Sequence, residues 1–260
     1  MSVIIFELCA ESLEAAQAAD CGGADRIELC SNLSIGGVTP EFDLAADVIR
    51  AVAIPVYVLI RPRGGDFVYS TAEFGEMKRQ IERIKLSGAA GVVTGVLLPD
   101  GRVDVERSRA LVSQARPMAV TFHRAFDETP DLKEALESVI LVGADSLLTS
   151  GGETDVLTGA NSIASLVKLA GGRIQIIAGG GLRLETLLEV VRRTGVSALH
   201  GSLTRIESED AGISSALETD VQAAVSLLRD EFKAVRRPEQ RFSPTETCGK
   251  SSSGSTTGLQ

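Results

Sequence analysis

The tripeptide Glu-Leu-Cys occurs twice near the N-terminus, as Glu7-Leu8-Cys9 and Glu28-Leu29-Cys30, each time at the end of a β-rich run. Side chains alternate across a strand, so each Glu shares a face with the Cys two positions on, and the Leu takes the other face. If the leucines meet covering helices, all four polar groups point into one interior. Neighbouring strands lie about 4.8 Å apart, which brings the two thiols together and predicts both carboxylates one layer beneath them. Soft thiolates select Cu(I), so Cys9 and Cys30 are candidate metal ligands. The competing reading is structural, because unpaired cysteine often behaves as a small buried hydrophobe.

A glutamate inside a barrel must be paired, hydrogen-bonded or protonated. The run Arg61-Pro62-Arg63-Gly64-Gly65-Asp66 offers cations, and Arg61 shares a face with Arg63 if its strand continues through Pro62. Arg61 then either neutralises Glu28 or binds an anion, since a guanidinium suits carboxylate and phosphate alike. The chain has only two histidines, and both fall at expected strand ends, His123 before Arg124 and His200 before Gly201-Ser202. That rim is where barrel enzymes place acid-base groups, although a lone His is more often a hydrogen-bonded structural residue. Gly179-Gly180-Gly181 and Gly201-Ser202 follow the last two expected strands, where backbone amides commonly hold phosphate, and Ser150-Gly151 extends the same rim. A tight turn explains a glycine run equally well.

These residues need a frame. Eight β-rich runs alternate with amphipathic stretches: Val3 to Cys9, Asp25 to Cys30, Val56 to Pro62, Val92 to Leu98, Ala119 to Phe126, Asp145 to Ser150, Ile174 to Ala178 and Ala198 to Ser202. Eight is the number that closes a parallel (β/α)8 TIM barrel, and 260 residues with 44% hydrophobic content suit one such domain. Helical patterns include Ser12 to Ala19, with Ser12 as a cap, and Leu132 to Val142. Gly23-Ala24-Asp25, Gly88-Ala89-Ala90 and Gly143-Ala144-Asp145 repeat one helix-to-strand turn. Leu203 to Asp220 lacks periodicity and predicts an irregular excursion before a last helix from about Val221 to Val235. The barrel domain should span 1–240, followed by a disordered tail, 241–260, rich in Ser, Thr and Gly.

A net charge of −9 argues against nonspecific binding to nucleic acid or anionic lipid, and no apolar run is long enough to cross a bilayer. Four cysteines are too few for a disulfide framework, which suits a cytoplasmic protein with reduced thiols. Cys21 and Cys248 have turn and tail surroundings and no expected role.

Several ordered motifs resemble the CutC family: Glu7-Leu8-Cys9, Gly22 to Cys30, Gly36-Gly37-Val38-Thr39-Pro40, Ile60 to Ser70, Thr121 to Asp127, Leu148 to Gly151 and Gly179 to Gly181. The resemblance covers about the first 200 residues. It implies a cytoplasmic β/α barrel, often homo-oligomeric, associated with copper tolerance and with Cu(I) held by cysteines. Glu7, Cys9, Glu28, Cys30, Arg61, Arg63, Asp66, His123 and Arg124 stand at matching positions, while the sequence departs after Ser202. Two functions remain open. One is a copper-handling protein using Cys9 and Cys30. The other is an enzyme for a small anionic or phosphorylated metabolite. Its acid-base groups would be Glu7, Glu28, Asp66 and His123, and its substrate would be held by Arg61, Arg63, Arg124, Ser150, Gly151, the late glycines, His200 and Ser202. Neither reading calls for a nucleotide cofactor.

Overall fold

Alternation along each short run sends one set of side chains outward to the helices and the other inward, which a closed parallel ring can bury on both faces. The computed structural model describes residues 4–203 and 213–235. It contains eight parallel strands hydrogen-bonded in chain order, the last pairing with the first to close the barrel. The strands are β1 (Ile5–Ala10), β2 (Arg26–Leu29), β3 (Val56–Leu59), β4 (Gly91–Thr94), β5 (Ala119–Phe122), β6 (Ser146–Thr149), β7 (Gln175–Gly179) and β8 (Ala198–Gly201). The helices outside them are α1 (Leu13–Gly22), α2 (Phe42–Ala51), α3 (Thr71–Leu86), α4 (Val105–Ala115), α5 (Leu132–Val142), α6 (Ala160–Ala170), α7 (Leu187–Thr194) and α8 (Ile213–Val235). This is the expected TIM barrel. Several strands stop earlier than their apolar runs, β3 at Leu59 and β5 at Phe122, and Arg124–Glu128 form a short 3-10 helix instead.

Leu8 and Leu29, the middle residues of the two tripeptides, are fully buried in the main core together with Phe6 and Ile27. Inside the ring, Cys9, Cys30, Leu59 and Val93 form a separate apolar cluster, and Leu148, Ile177 and Ala198 form another. The repeated turns behave as expected: Gly23, Gly88 and Gly143 have φ of 82, 86 and 87°, the left-handed conformation that stops a helix. The aspartates of two of them have a further use. Asp25 accepts the Phe6 N–H at 2.8 Å and Asp145 accepts the Val120 N–H at 2.7 Å, each fastening the preceding strand at its base.

Ser12 caps α1 by accepting the Ala15 N–H at 3.1 Å. Ser12→Ala is expected to lower stability by about 1 kcal/mol in urea denaturation, the usual value of a lost N-cap. The last helix begins at Ile213, eight residues before the expected start, so residues 213–220 are helical and not irregular. Packing decides this. Val221, Ala224, Val225 and Leu228 are buried, and a Cβ on Gly22 would stand 2.7 Å from the Val221 Cβ, so α8 lies directly on α1. The remainder of the expected excursion, residues 204–212, and the tail 241–260 with Cys248 lie outside the described residues, while Cys21 is exposed. Among the described residues no helix is long and apolar enough to cross a membrane.

Candidate functional site

Strand register places the inward groups. Glu7 stands beside Arg26 on one side and His200 on the other, whereas Cys9 stands beside Glu28. The two tripeptides are therefore staggered by two residues. The expected common layer of carboxylates does not form, because strands in a closed barrel are shifted past one another to tilt around the axis. Glu7 is fully buried, and both of its oxygens are engaged: Arg26 Nε donates to Oε2, and His200 Nδ1 lies 2.7 Å from Oε1. Arg26 was missed as a site residue, although its spacing from Glu28 and Cys30 already put it on the inward face.

Arg61 does not neutralise Glu28. Its Nη1 donates to the carbonyls of Ile35, Gly36 and Gly37, its Nη2 donates to Gly65, and its guanidinium lies 4.6 Å over the Phe67 ring. Arg63 does not share its face, because β3 has ended. It pairs instead with Asp66 at 2.9 Å and Glu73 at 2.6 Å, away from the barrel axis.

The environment splits the two carboxylates. Burial opposes ionisation of Glu7, but the His200 hydrogen bond and the Arg26 charge outweigh it and hold its pKa below the ordinary value. For Glu28 burial outweighs the opposing charges. Burial raises it from 4.5 to about 7, with nearby His200 acting in the opposite direction. Burial works against a charged His200 ring, yet Glu28 and Glu7 raise its pKa. The Cys9 thiol is pushed well up by its hydrogen bond with Cys30, by burial and by Glu28. One consequence is testable in the metal-free protein. As pH rises from 4.5 to about 7 the unfolded chain releases the Glu28 proton while the native state retains it. The native state then binds more protons than the unfolded one, so the contribution of Glu28 to stability falls with pH. Thermal melts at pH 5 and pH 8 should show Glu28→Gln gaining on the wild type as pH increases, and parallel curves would contradict the raised value.

Above these groups the mouth opens as a cavity of about 310 Å³. Cys9, Cys30, Glu28 and His200 border it, and so do Arg61, His123 and Arg124. Gly180 and Gly181 from the loop after β7, Gly201 at the end of β8 and Ser202 after it complete the rim. Glu7 lies beneath. Gly179 belongs to β7 itself, and Arg63, Asp66, Ser150 and Gly151 do not border the cavity. Ser150 still acts there through a neighbour, because its Oγ accepts from Arg124 Nη2 at 3.0 Å, and Asp127 accepts from both Arg124 Nε and the Ser150 amide. Gly151 is a turn residue packed on Gly159, where a Cβ would stand 2.5 Å from a carbonyl oxygen. Gly36, Gly37, Phe67 and Asp127 were visible as motif members but had no assigned role, since nothing local tells which loops meet at the mouth.

A sequence model of the CutC family matches residues 4–205. The chain belongs to the CutC family. It is 45% identical over 198 residues to the human copper homeostasis protein cutC homolog, covering 76% of this chain and 72% of that protein. It is 44% identical over 199 residues to the family protein CutC of Caulobacter vibrioides, covering 76% and 81% respectively. A crystal structure of CutC from Streptococcus agalactiae superposes with a TM-score of 0.73 at 32% identity, covering 77% of this chain and all (100%) of that one.

In this CutC family member, donor atoms of Cys9, Glu28 and His200 lie within 4.8 Å of one another. Cys30 lies beside one member of that group, with its Sγ 3.5 Å from that of Cys9. Two sulfurs each about 2.3 Å from one ion at a tetrahedral angle are about 3.8 Å apart, so a small adjustment admits a metal. When the His200 ring is neutral, the ionised Glu7 facing Nδ1 keeps the proton on that nitrogen and leaves the lone pair on Nε2. Carboxylate-to-histidine contacts of this kind orient ligating imidazoles.

Proposed function

We propose that this chain serves copper homeostasis by binding Cu(I) between Cys9 and Cys30 at the barrel mouth, with His200 and Glu28 beside the ion and Glu7 and Arg26 holding His200 in place. The observation that carries the reading is the 3.5 Å approach of two buried thiols, one of which, Cys9, also belongs to a donor cluster with Glu28 and the His200 imidazole. The donor chemistry fits: paired sulfurs suit a soft monovalent ion, and histidine supplies the supporting ligand that a two-thiol site otherwise wants. Copper is the cargo. The protein's part is to present the thiols, orient the imidazole and accept proton loss. On the family resemblance we also propose a cytoplasmic homo-oligomer, which light scattering and cell fractionation test.

The direct test is titration of the reduced protein with Cu(I) in competition with a chelator of known affinity. One equivalent should bind. Because the Cys9 thiol and a charged His200 both hold protons beyond their ordinary range, those protons must leave as the ion enters, so apparent affinity should rise with pH across the neutral range. Affinity that is flat or falls with pH would place the ion elsewhere.

A further inference from the structure

We propose that the Arg61, His123 and Arg124 part of the cavity is a binding site for a small oxyanion, a carboxylate or phosphate group carried by an organic molecule. The site does not need copper. His123 is 5% exposed, and its Nδ1 accepts the Ala125 N–H at 3.2 Å, so the ring proton is on Nε2. Among the described residues that Nε2–H has no partner. Arg61, also 5% exposed, spends Nη1 and Nη2 on backbone carbonyls, while its Nε–H likewise has no partner.

Two residues that border one cavity thus each keep a buried donor without an acceptor, and buried donors are rarely left so. Both pack on Phe67, with ring centroids 4.8 Å apart for His123 and the Arg61 guanidinium 4.6 Å above the ring, so this side chain must yield for a ligand to reach them. Arg124 adds a second cation. Asp127 and Ser150 fix its guanidinium over Gly180, where a Cβ would stand 3.2 Å from Nη1, so the bare glycine leaves that edge open.

Charge agrees with the donors. Among the described residues Glu28 is the one carboxylate bordering the cavity, against Arg61 and an Arg124 that is paired with Asp127. Burial and the neighbouring Arg61 lower the His123 pKa to about 3, so the ring remains a neutral donor throughout the physiological range. A cavity of about 310 Å³ admits a metabolite of a few carbons.

The test uses the full chain carrying Cys9→Ser and Cys30→Ser, so that copper plays no part and failure of the copper reading leaves the result unaffected. Calorimetry and thermal shift are run with inorganic phosphate, glycerol 3-phosphate, lactate and neutral glycerol. At least one anionic probe should bind and raise Tm while glycerol does not, and whether the phosphates or lactate bind identifies the oxyanion. The His123 Nε2–H resonance should move on binding. His123→Asn keeps an acceptor for the Ala125 amide but lacks the outer N–H, and it should weaken the anion about tenfold. No binding by any anionic probe, equal binding of glycerol, an unmoved His123 resonance, or unchanged affinity in His123→Asn would each overturn the proposal. The resonance is read in protein with His123 intact, so the test survives a variant that folds poorly.

Discussion

Cys30→Ser and Cys9→Ser should each reduce Cu(I) affinity by about a hundredfold or more while leaving the barrel folded. Serine preserves the shape but replaces a polarisable sulfur with a hard oxygen that a soft ion disfavours. Both thiols sit in a small apolar cluster with Leu59 and Val93, not in the main core that holds the helices to the strands. Loss of one sulfur should therefore show in chelator competition far more than in thermal melts. His200→Ala should have a smaller effect, about ten- to a hundredfold, because it removes a supporting ligand and leaves both sulfurs. Wild-type affinity in both cysteine variants would remove the proposed copper site, and a comparable collapse of Tm would recast the pair as structural.

Arg26→Met should destabilise the protein by about 3–5 kcal/mol, measured by urea denaturation at neutral pH. Arg26 is the only guanidinium bonded to Glu7 among the described residues, and it also lies 4.5 Å over the Tyr57 ring. Its removal leaves a fully buried carboxylate with only His200 for compensation. Breaking such a pair costs more than deleting it, so adding Glu7→Gln to Arg26→Met should recover part of the loss. Strict additivity of the two changes would show that the groups do not depend on each other. The same variant should also lower copper affinity, because the pair holds the His200 ring.

Much of this protein follows from local rules. Alternation in Glu7-Leu8-Cys9 and Glu28-Leu29-Cys30 separates the buried leucines from the inward polar groups, and the Gly-Ala-Asp turns mark where helices stop, because both effects act over a few residues. The run from Leu132 to Val142 has the bounds of α5 for the same reason. The pairing inside the ring is different. Glu7 meets His200 across 193 residues of chain and takes Arg26 as its cation, while Arg61 turns to loop carbonyls and Arg63 to the surface. Those choices depend on the stagger between β1 and β2, on β3 ending at Leu59, and on which loops converge over the mouth. A strand specifies which face a side chain takes. How far each strand slides past its neighbour is set by closing eight of them into one ring, so the partners of inward-facing residues were decided by tertiary structure alone.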